Sequence, residues 1–388
     1  YHRNGLKFFT PQGGLDAPDI TEILTLSQNG EHPAKEVPGT REDCGYMKDY
    51  AKRLRETIQK GVGAPDYEHP LKGFHIVVDA GNGAGGFYAT DVLEPLGADI
   101  SGSQFLEPDG MFPNHIPNPE NETAMGFISR AVKESKADLG VIFDTDVDRG
   151  AAVDNRGEEL NRNRLVALAS AIALEGNEGG TVVTDSITSD GLKEYIENTL
   201  GGKHHRFKRG YKNVINEALR LNKEGINCPL AIETSGHAAM RENHFLDDGA
   251  YLVTKILIKM ASLRKEGKEL EDLLAPLREP AEADEVRLPI SDPEFRACGE
   301  ALIQALEEYA KEQNWNIAPD NREGIRVSFP KGEGEGWFLL RLSVHDPILP
   351  INLESDVPGG VKVIGNKLLQ FLEAHKEGVD ISPMEKFA

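Results

Sequence analysis

Positive charge is scarce in this sequence: 43 lysines and arginines stand against 64 aspartates and glutamates, a formal net charge of −21. A surface of that sign repels polyanions, so neither nucleic acid nor an anionic membrane is an expected partner. Long apolar runs are missing too. The best, Leu165 to Leu174, is interrupted by Ser170 and ends at Glu175, too short to cross a bilayer. Cysteine is rare, and Cys44, Cys228 and Cys298 form no CxxC pair. That excludes a disulfide framework and a structural zinc site, and it suits a reducing compartment: the cytoplasm, with a plastid stroma as the alternative. Nor does the chain open on Met. It begins at Tyr1, runs at once into the strand-like Gly5-Leu6-Lys7-Phe8-Phe9, and shows no signal-like segment. It reads as a fragment or processed product, whose expected partner is an N-terminal segment of the same protein.

What is present suits a folded protein of two to four domains, since 39% of the 388 residues are apolar. Asp19 to Leu26 and Gly45 to Ile58 read as helices, with a polar loop from Gln28 to Thr40 between them. Gly61-Val62-Gly63-Ala64-Pro65 reads as a linker. Phe74 to Asp79 and Leu139 to Phe143 are compact apolar runs suited to buried parallel strands. After a helix over Arg162 to Ala173 the pattern restarts: strand Thr181 to Asp185, helix Ser189 to Thr199, strand Pro229 to Ile232, helix Tyr251 to Leu263. The acidic, proline-containing stretch Ala281 to Pro293 reads as a second linker. Helices over 293–312 and 360–375 then flank an antiparallel hairpin over 324–329 and 337–343. The expected fold is α/β, with repeated mixed α/β domains and a C-terminal α+β domain.

Three features carry chemistry. Asp144, Asp146 and Asp148 follow a buried strand at alternate positions in Phe143-Asp144-Thr145-Asp146-Val147-Asp148-Arg149, so three carboxylates can turn onto one hard cation, Mg²⁺ or Ca²⁺. An EF-hand is excluded, because its sixth position would be Arg149 rather than Gly and its twelfth Asn155 rather than Glu. Glu233-Thr234-Ser235-Gly236-His237 ends a second strand, where a carboxylate and a hydroxyl two residues apart can grip vicinal sugar hydroxyls and His237 can move a proton or donate to a phosphate. Cations gather at Arg206-Phe207-Lys208-Arg209-Gly210-Tyr211-Lys212, a candidate phosphate funnel, and at Arg341-Leu342-Ser343, which leaves a strand into a turn. Gly81-Asn82-Gly83-Ala84-Gly85-Gly86 satisfies GxGxxG but lacks an acidic residue closing the next strand, and reads as a tight strand-to-helix turn rather than a dinucleotide site.

In this order the loops resemble those of the α-D-phosphohexomutase superfamily, the phosphoglucomutase and phosphomannomutase group, along essentially the whole chain. The resemblance implies four domains around a cleft: 1–62 as the remnant of a phosphoserine domain, 63–177 with the metal loop, 178–284 with the sugar loop, and 285–388 with a phosphate loop. Asp144, Asp146 and Asp148 match the metal loop and Arg149 the arginine after it. Glu233, Ser235 and His237 match the sugar loop, Arg341 and Ser343 the start of the phosphate loop, Lys212 a third-domain lysine, and Lys7 the lysine beyond the catalytic serine. That serine would fall just before Tyr1. Val344, His345 and Asp346 stand where the family usually has Gly, Thr and Glu.

The implied reaction interconverts hexose 1-phosphate and 6-phosphate through a phosphoserine and a hexose 1,6-bisphosphate, with Mg²⁺. In it Lys7, Arg149 and His237 would be catalytic, and Glu233, Ser235, Lys212, Arg341 and Ser343 would bind the phosphorylated hexose. A non-catalytic phosphosugar-binding relative is the alternative; a metal phosphatase is a weaker third.

Overall fold

The apolar run ending at Asp79 forms the strand Ile76–Asp79 and pairs in parallel with Leu139–Phe143, both buried along their whole length. Burial on two faces is why these runs are continuous rather than alternating. The computed structural model describes residues 8–10, 13–15, 17–30, 39–343 and 346–388. These divide into two compact units. The first takes in the described residues up to Val183 with Leu200–Lys203 and Gly210–Ala275; the second takes in Thr184–Thr199, His204–Arg209 and Pro276–Ala388.

In the first unit the sheet continues antiparallel from Leu139–Phe143 to Gly150–Asp154 and on to Glu159–Leu160. The helix Glu122–Ser135 starts where the Asn121 side chain accepts from the Ala124 N–H at 3.0 Å. It lies so close to the sheet that a Cβ on Gly140 would meet Val132 at 2.5 Å. Within this unit a second sheet includes, side by side, Ala238–Met240, Leu230–Ile232 and residues 181–183. Its antiparallel hairpin turns at residues 233–237. The long helices Tyr46–Val62 and Gly249–Lys265 cross where Gly61 leaves no room for a side chain, since a Cβ there would lie 2.6 Å from Ile258 Cδ1. No helix among the described residues is long and apolar enough to cross a membrane.

The second unit holds a five-stranded antiparallel sheet in the order Glu282–Pro289, Ile348–Ser355, Gly336–Leu340, Ile325–Phe329, Asn316–Ile317. The helices Phe295–Glu312 and Gly360–Ala374 cover it around Leu288, Leu306, Val327, Phe338, Ile351 and Leu368. The α+β expectation for this region holds, with two corrections. The hairpin is part of a larger sheet, and residues 282–289 are a strand, not a linker. The charges that suggest a linker alternate with Val286 and Leu288, which face the core, on a strand at the sheet edge.

The same unit contains a buried cationic clamp. Arg326 donates through Nη1 to the carbonyls of Ser186 (3.2 Å) and Thr188 (3.1 Å), and through Nη2 to Asp190 (2.9 Å). Its guanidinium lies 3.5 Å from the centre of the Trp337 ring. Arg206 reaches the same Asp190 at 3.2 Å. Burial, and then the charge of Arg206, lower the Arg326 guanidinium to about 9.

Candidate active site

The strand Leu139–Phe143 ends on Asp144, which is almost fully buried and shapes the loop after it. Its Oδ1 accepts from the backbone N–H groups of Val147 (3.0 Å) and Arg149 (3.1 Å), and its Oδ2 from Arg149 Nε at 2.9 Å. This pulls the chain into a tight turn with Val147 at φ 71°, a left-handed conformation costly for a β-branched residue. The strain is over-determined by its surroundings. The Val147 side chain is buried and its carbonyl accepts from Gly249 N–H at 3.0 Å. The turn gathers oxygens of Asp144, Asp146 and Asp148 within 4.8 Å of one another, with Asp146 exposed.

The glycine run is this loop's support. Ala84 N–H donates to the Thr145 carbonyl at 2.9 Å, and a Cβ on Gly83 would lie 2.7 Å from that same oxygen. On Gly85 it would meet Phe143 at 2.9 Å. The glycines answer to neighbouring protein atoms, as the tight-turn reading anticipates. On the other flank Arg149 Nη1 donates to Asn118 Oδ1 at 3.2 Å and lies 3.9 Å from Glu120.

The hairpin loop at residues 233–237 is joined to the acidic loop through backbone. Gly150 N–H donates to the Gly236 carbonyl at 3.3 Å, and Arg149 and His237 form an isolated antiparallel bridge. Gly236 has φ 97° and its Cβ would sit 3.0 Å from the Gly150 carbonyl, so a side chain is excluded twice over. Glu233 is buried, and one of its oxygens accepts from the Gly210 N–H, which caps the helix Tyr211–Lys223. That bond brings the start of this helix, with Lys212, to the same loop. Ser235 Oγ is buried without a hydrogen-bond partner among the described residues. His237 Nδ1 lies 2.8 Å from Asp247 Oδ2 and 3.8 Å from Asp148, and its ring sits 5.2 Å from that of Tyr211. Burial, then Asp247, Asp146 and Glu233, raise the Tyr211 phenol.

Thus Asp144, Asp146, Asp148, Arg149, Glu233, Ser235 and His237 come together in the first unit, with Lys212 tied in through Gly210. Arg341 and Ser343 belong to the second unit. Arg341 Nε is buried without a hydrogen-bond partner among the described residues, and burial lowers its guanidinium while Glu323 opposes that. Ser343 Oγ accepts from the Asp346 N–H at 3.2 Å. Lys7, Val344 and His345 lie outside the described residues.

Comparison with known proteins adds to this geometry. The model for phosphoglucomutase/phosphomannomutase alpha/beta/alpha domain II matches residues 48–157, and that for domain III matches residues 161–280. A phosphoglucomutase/phosphomannomutase of Thermococcus kodakarensis is 30% identical over 357 residues, 91% of this chain and 72% of its own. The chain belongs to the phosphoglucomutase/phosphomannomutase family. A phosphomannomutase/phosphoglucomutase of Pseudomonas syringae is 33% identical over 283 residues, and that match covers 72% of this chain. It covers 56% of the relative, so the chain spans little more than half of that protein's length. The crystal structure of a phosphoglucomutase/phosphomannomutase family protein from Burkholderia thailandensis superposes with a TM-score of 0.74 at 25% identity, covering 94% of this chain and 72% of the other.

This family member's acidic loop offers only carboxylate oxygens, a donor set for a hard divalent cation. Asp144 can still serve through Oδ2, which accepts one hydrogen bond and keeps a second lone pair, whereas Oδ1 already accepts two. One sequence reading fails in part. The basic run does not act as a block, since Arg206 is buried against Thr188 and Asp190 in the second unit. Two residues at the site are not found by sequence reasoning. Tyr211 sits inside the basic run, and Asp247 opens the Asp247-Asp248-Gly249 turn into a helix, where an acidic N-cap is the ordinary interpretation.

Proposed function

We propose that the protein of which this chain is part interconverts hexose 1-phosphate and hexose 6-phosphate through a phosphoserine and a hexose 1,6-bisphosphate. The observation that carries the reading is the union of the two loops: three carboxylates, Glu233, Ser235 and His237 held on one backbone frame by Gly150 and Gly236. The domains in this reading are 1–62, 63–177, 178–284 and 285–388, and the compartment is the cytoplasm.

Asp144, Asp146 and Asp148 would hold Mg²⁺, which when bound offsets charge on the transferring phosphoryl group. Arg149, anchored by Asp144 and Asn118, adds a fixed positive charge beside the loop. Glu233 and Ser235 accept and donate to neighbouring sugar hydroxyls, and Ser235 Oγ is buried with no hydrogen-bond partner among the described residues. His237 takes the proton of the attacking hydroxyl as that oxygen bonds phosphorus and the serine oxygen–phosphorus bond breaks, and it returns the proton in the reverse transfer. Lys7 and Lys212 stabilise charge on the moving phosphoryl group and on the sugar. Arg341 and Ser343 grip the phosphate that does not react.

The test is a coupled assay on the full-length protein with glucose 1-phosphate and mannose 1-phosphate, Mg²⁺ and the matching bisphosphate. Turnover of either sugar supports the reading, and absence of turnover with both sinks it. Sugar-phosphate binding without turnover identifies the non-catalytic relative instead.

A further inference from the structure

His237 faces two carboxylates through one nitrogen. Its Nδ1 lies 2.8 Å from Asp247 Oδ2 and 3.8 Å from Asp148 Oδ1, while Nε2 makes no hydrogen bond among the described residues. A carboxylate only accepts, so the short contact requires a hydrogen on Nδ1 whether the ring is neutral or charged. The other nitrogen is then the one that can gain or lose a proton.

Asp247 is itself held firmly. Its side chain is 6% exposed, and Oδ1 is buried without a hydrogen-bond partner among the described residues, so the group is committed to the imidazole through Oδ2. Its backbone bridges Ala239 in antiparallel fashion. The next residue, Asp248, accepts from the Tyr50 hydroxyl at 2.6 Å, from Asn243 Nδ2 at 2.9 Å and from the Tyr251 N–H at 2.9 Å. Gly249 then binds the Val147 carbonyl of the acidic loop. Three consecutive residues therefore fix the imidazole, the helix Tyr46–Val62 and the acidic loop in one frame. Tyr211 closes the remaining side, its ring tilted 31° to that of His237.

We propose that Asp247 is a positioning residue that locks His237 in the Nδ1–H form and so makes Nε2 the proton-exchanging atom of the site. The inference deepens the mutase reading and rests on it for what Nε2 does. During transfer the hydroxyl proton passes to Nε2 and later leaves from it, and the Nδ1 proton stays on the ring throughout. Burying an aspartate with one oxygen unmatched is destabilising, and such arrangements persist where they orient a reacting group.

The test uses the full-length protein labelled with ¹⁵N-histidine, with the His237 signals assigned by their loss in His237→Gln. Two-bond ¹H–¹⁵N correlation at alkaline pH reads the neutral tautomer directly. The expected result is a protonated Nδ1 and a bare Nε2 in the native protein. In Asp247→Asn that preference is lost, kcat falls roughly 100-fold, and KM changes less than about threefold. Asp247→Glu restores the tautomer and part of kcat. A native Nε2–H tautomer overturns the proposal, as does an Asp247→Asn protein with the native tautomer or with undiminished kcat. If Asp247→Asn does not fold, the native spectrum and Asp247→Glu still decide. The tautomer is read whether or not the protein turns sugar over, so failure of the mutase reading and failure of this proposal are distinguishable.

Discussion

Gly249 donates its backbone N–H to the Val147 carbonyl at 3.0 Å, and a Cβ on it would lie 2.5 Å from the carbonyl carbon of Arg149. The start of a long helix is thus pressed against the most strained point of the acidic loop. Gly249→Ala forces backbone apart on one side or the other, and overpacking of this kind costs about 1–3 kcal/mol. Urea denaturation should show a loss of that size, and isothermal titration with Mg²⁺ should show weakened binding, because the displaced backbone carries the loop.

The aspartates of that loop should separate into two classes. Asp146 is exposed, so Asp146→Asn is expected to leave metal-free stability within about 0.5 kcal/mol while weakening Mg²⁺ binding at least roughly tenfold. Asp144 is buried and accepts from two backbone N–H groups and Arg149. Asp144→Asn should therefore lose the metal and also about 2 kcal/mol of metal-free stability. Calorimetric titration and denaturation on the same two variants check both halves.

Glu354 supplies a pH dependence. Burial raises its carboxyl to about 7, with Arg326 pulling it down and the Trp337 indole N–H donating to it at 3.1 Å. A carboxyl raised in the folded state holds its proton there after the unfolded chain has released it. Its contribution is intact below the unfolded value and is lost as pH climbs through about 7. Glu354→Gln removes that loss, so its stability relative to the native protein should rise between pH 5 and 8. Parallel denaturation curves at several pH values would show a constant difference if the assignment were wrong.

Arg326 fills a buried position with three hydrogen bonds and a stacked indole. Arg326→Ala strands the Ser186 carbonyl, removes one of two guanidinium donors to the Thr188 carbonyl and one of two arginine partners of Asp190, and opens a cavity against Trp337. It should cost about 3–5 kcal/mol in thermal or chemical unfolding. Arg326→Lys should recover little, since an ammonium cannot span the same acceptors or stack on the ring.

The acidic loop and the sugar-loop hairpin are legible in the sequence because each puts its chemistry directly after a run of buried apolar residues. Less legible are the groups that aim them. Asp247 stands ten residues beyond His237, and only the return of the chain to Ala239 brings the two together. The strands Gly150–Asp154 and Ala238–Met240 are rich in alanine and carry little strand signal of their own. Small residues are needed there because a helix backbone passes close, as the 2.9 Å approach of the Gly249 carbonyl to a Cβ on Gly150 shows. Acidic and proline residues around 281–293 suggest a linker because their period-two pattern is short. The sheet they edge is complete only with Ile348–Ser355, far along the chain.

The glycine run at residues 81–86 has a consequence for how such patterns are read. Its spacing matches a well-known nucleotide fingerprint, yet each of its glycines is accounted for by an oxygen or a ring of the protein itself. A string of glycines after a strand is a record of crowding. It registers that something must come within a methyl group's width of the backbone, and it is silent on whether that something is a pyrophosphate or the neighbouring loop.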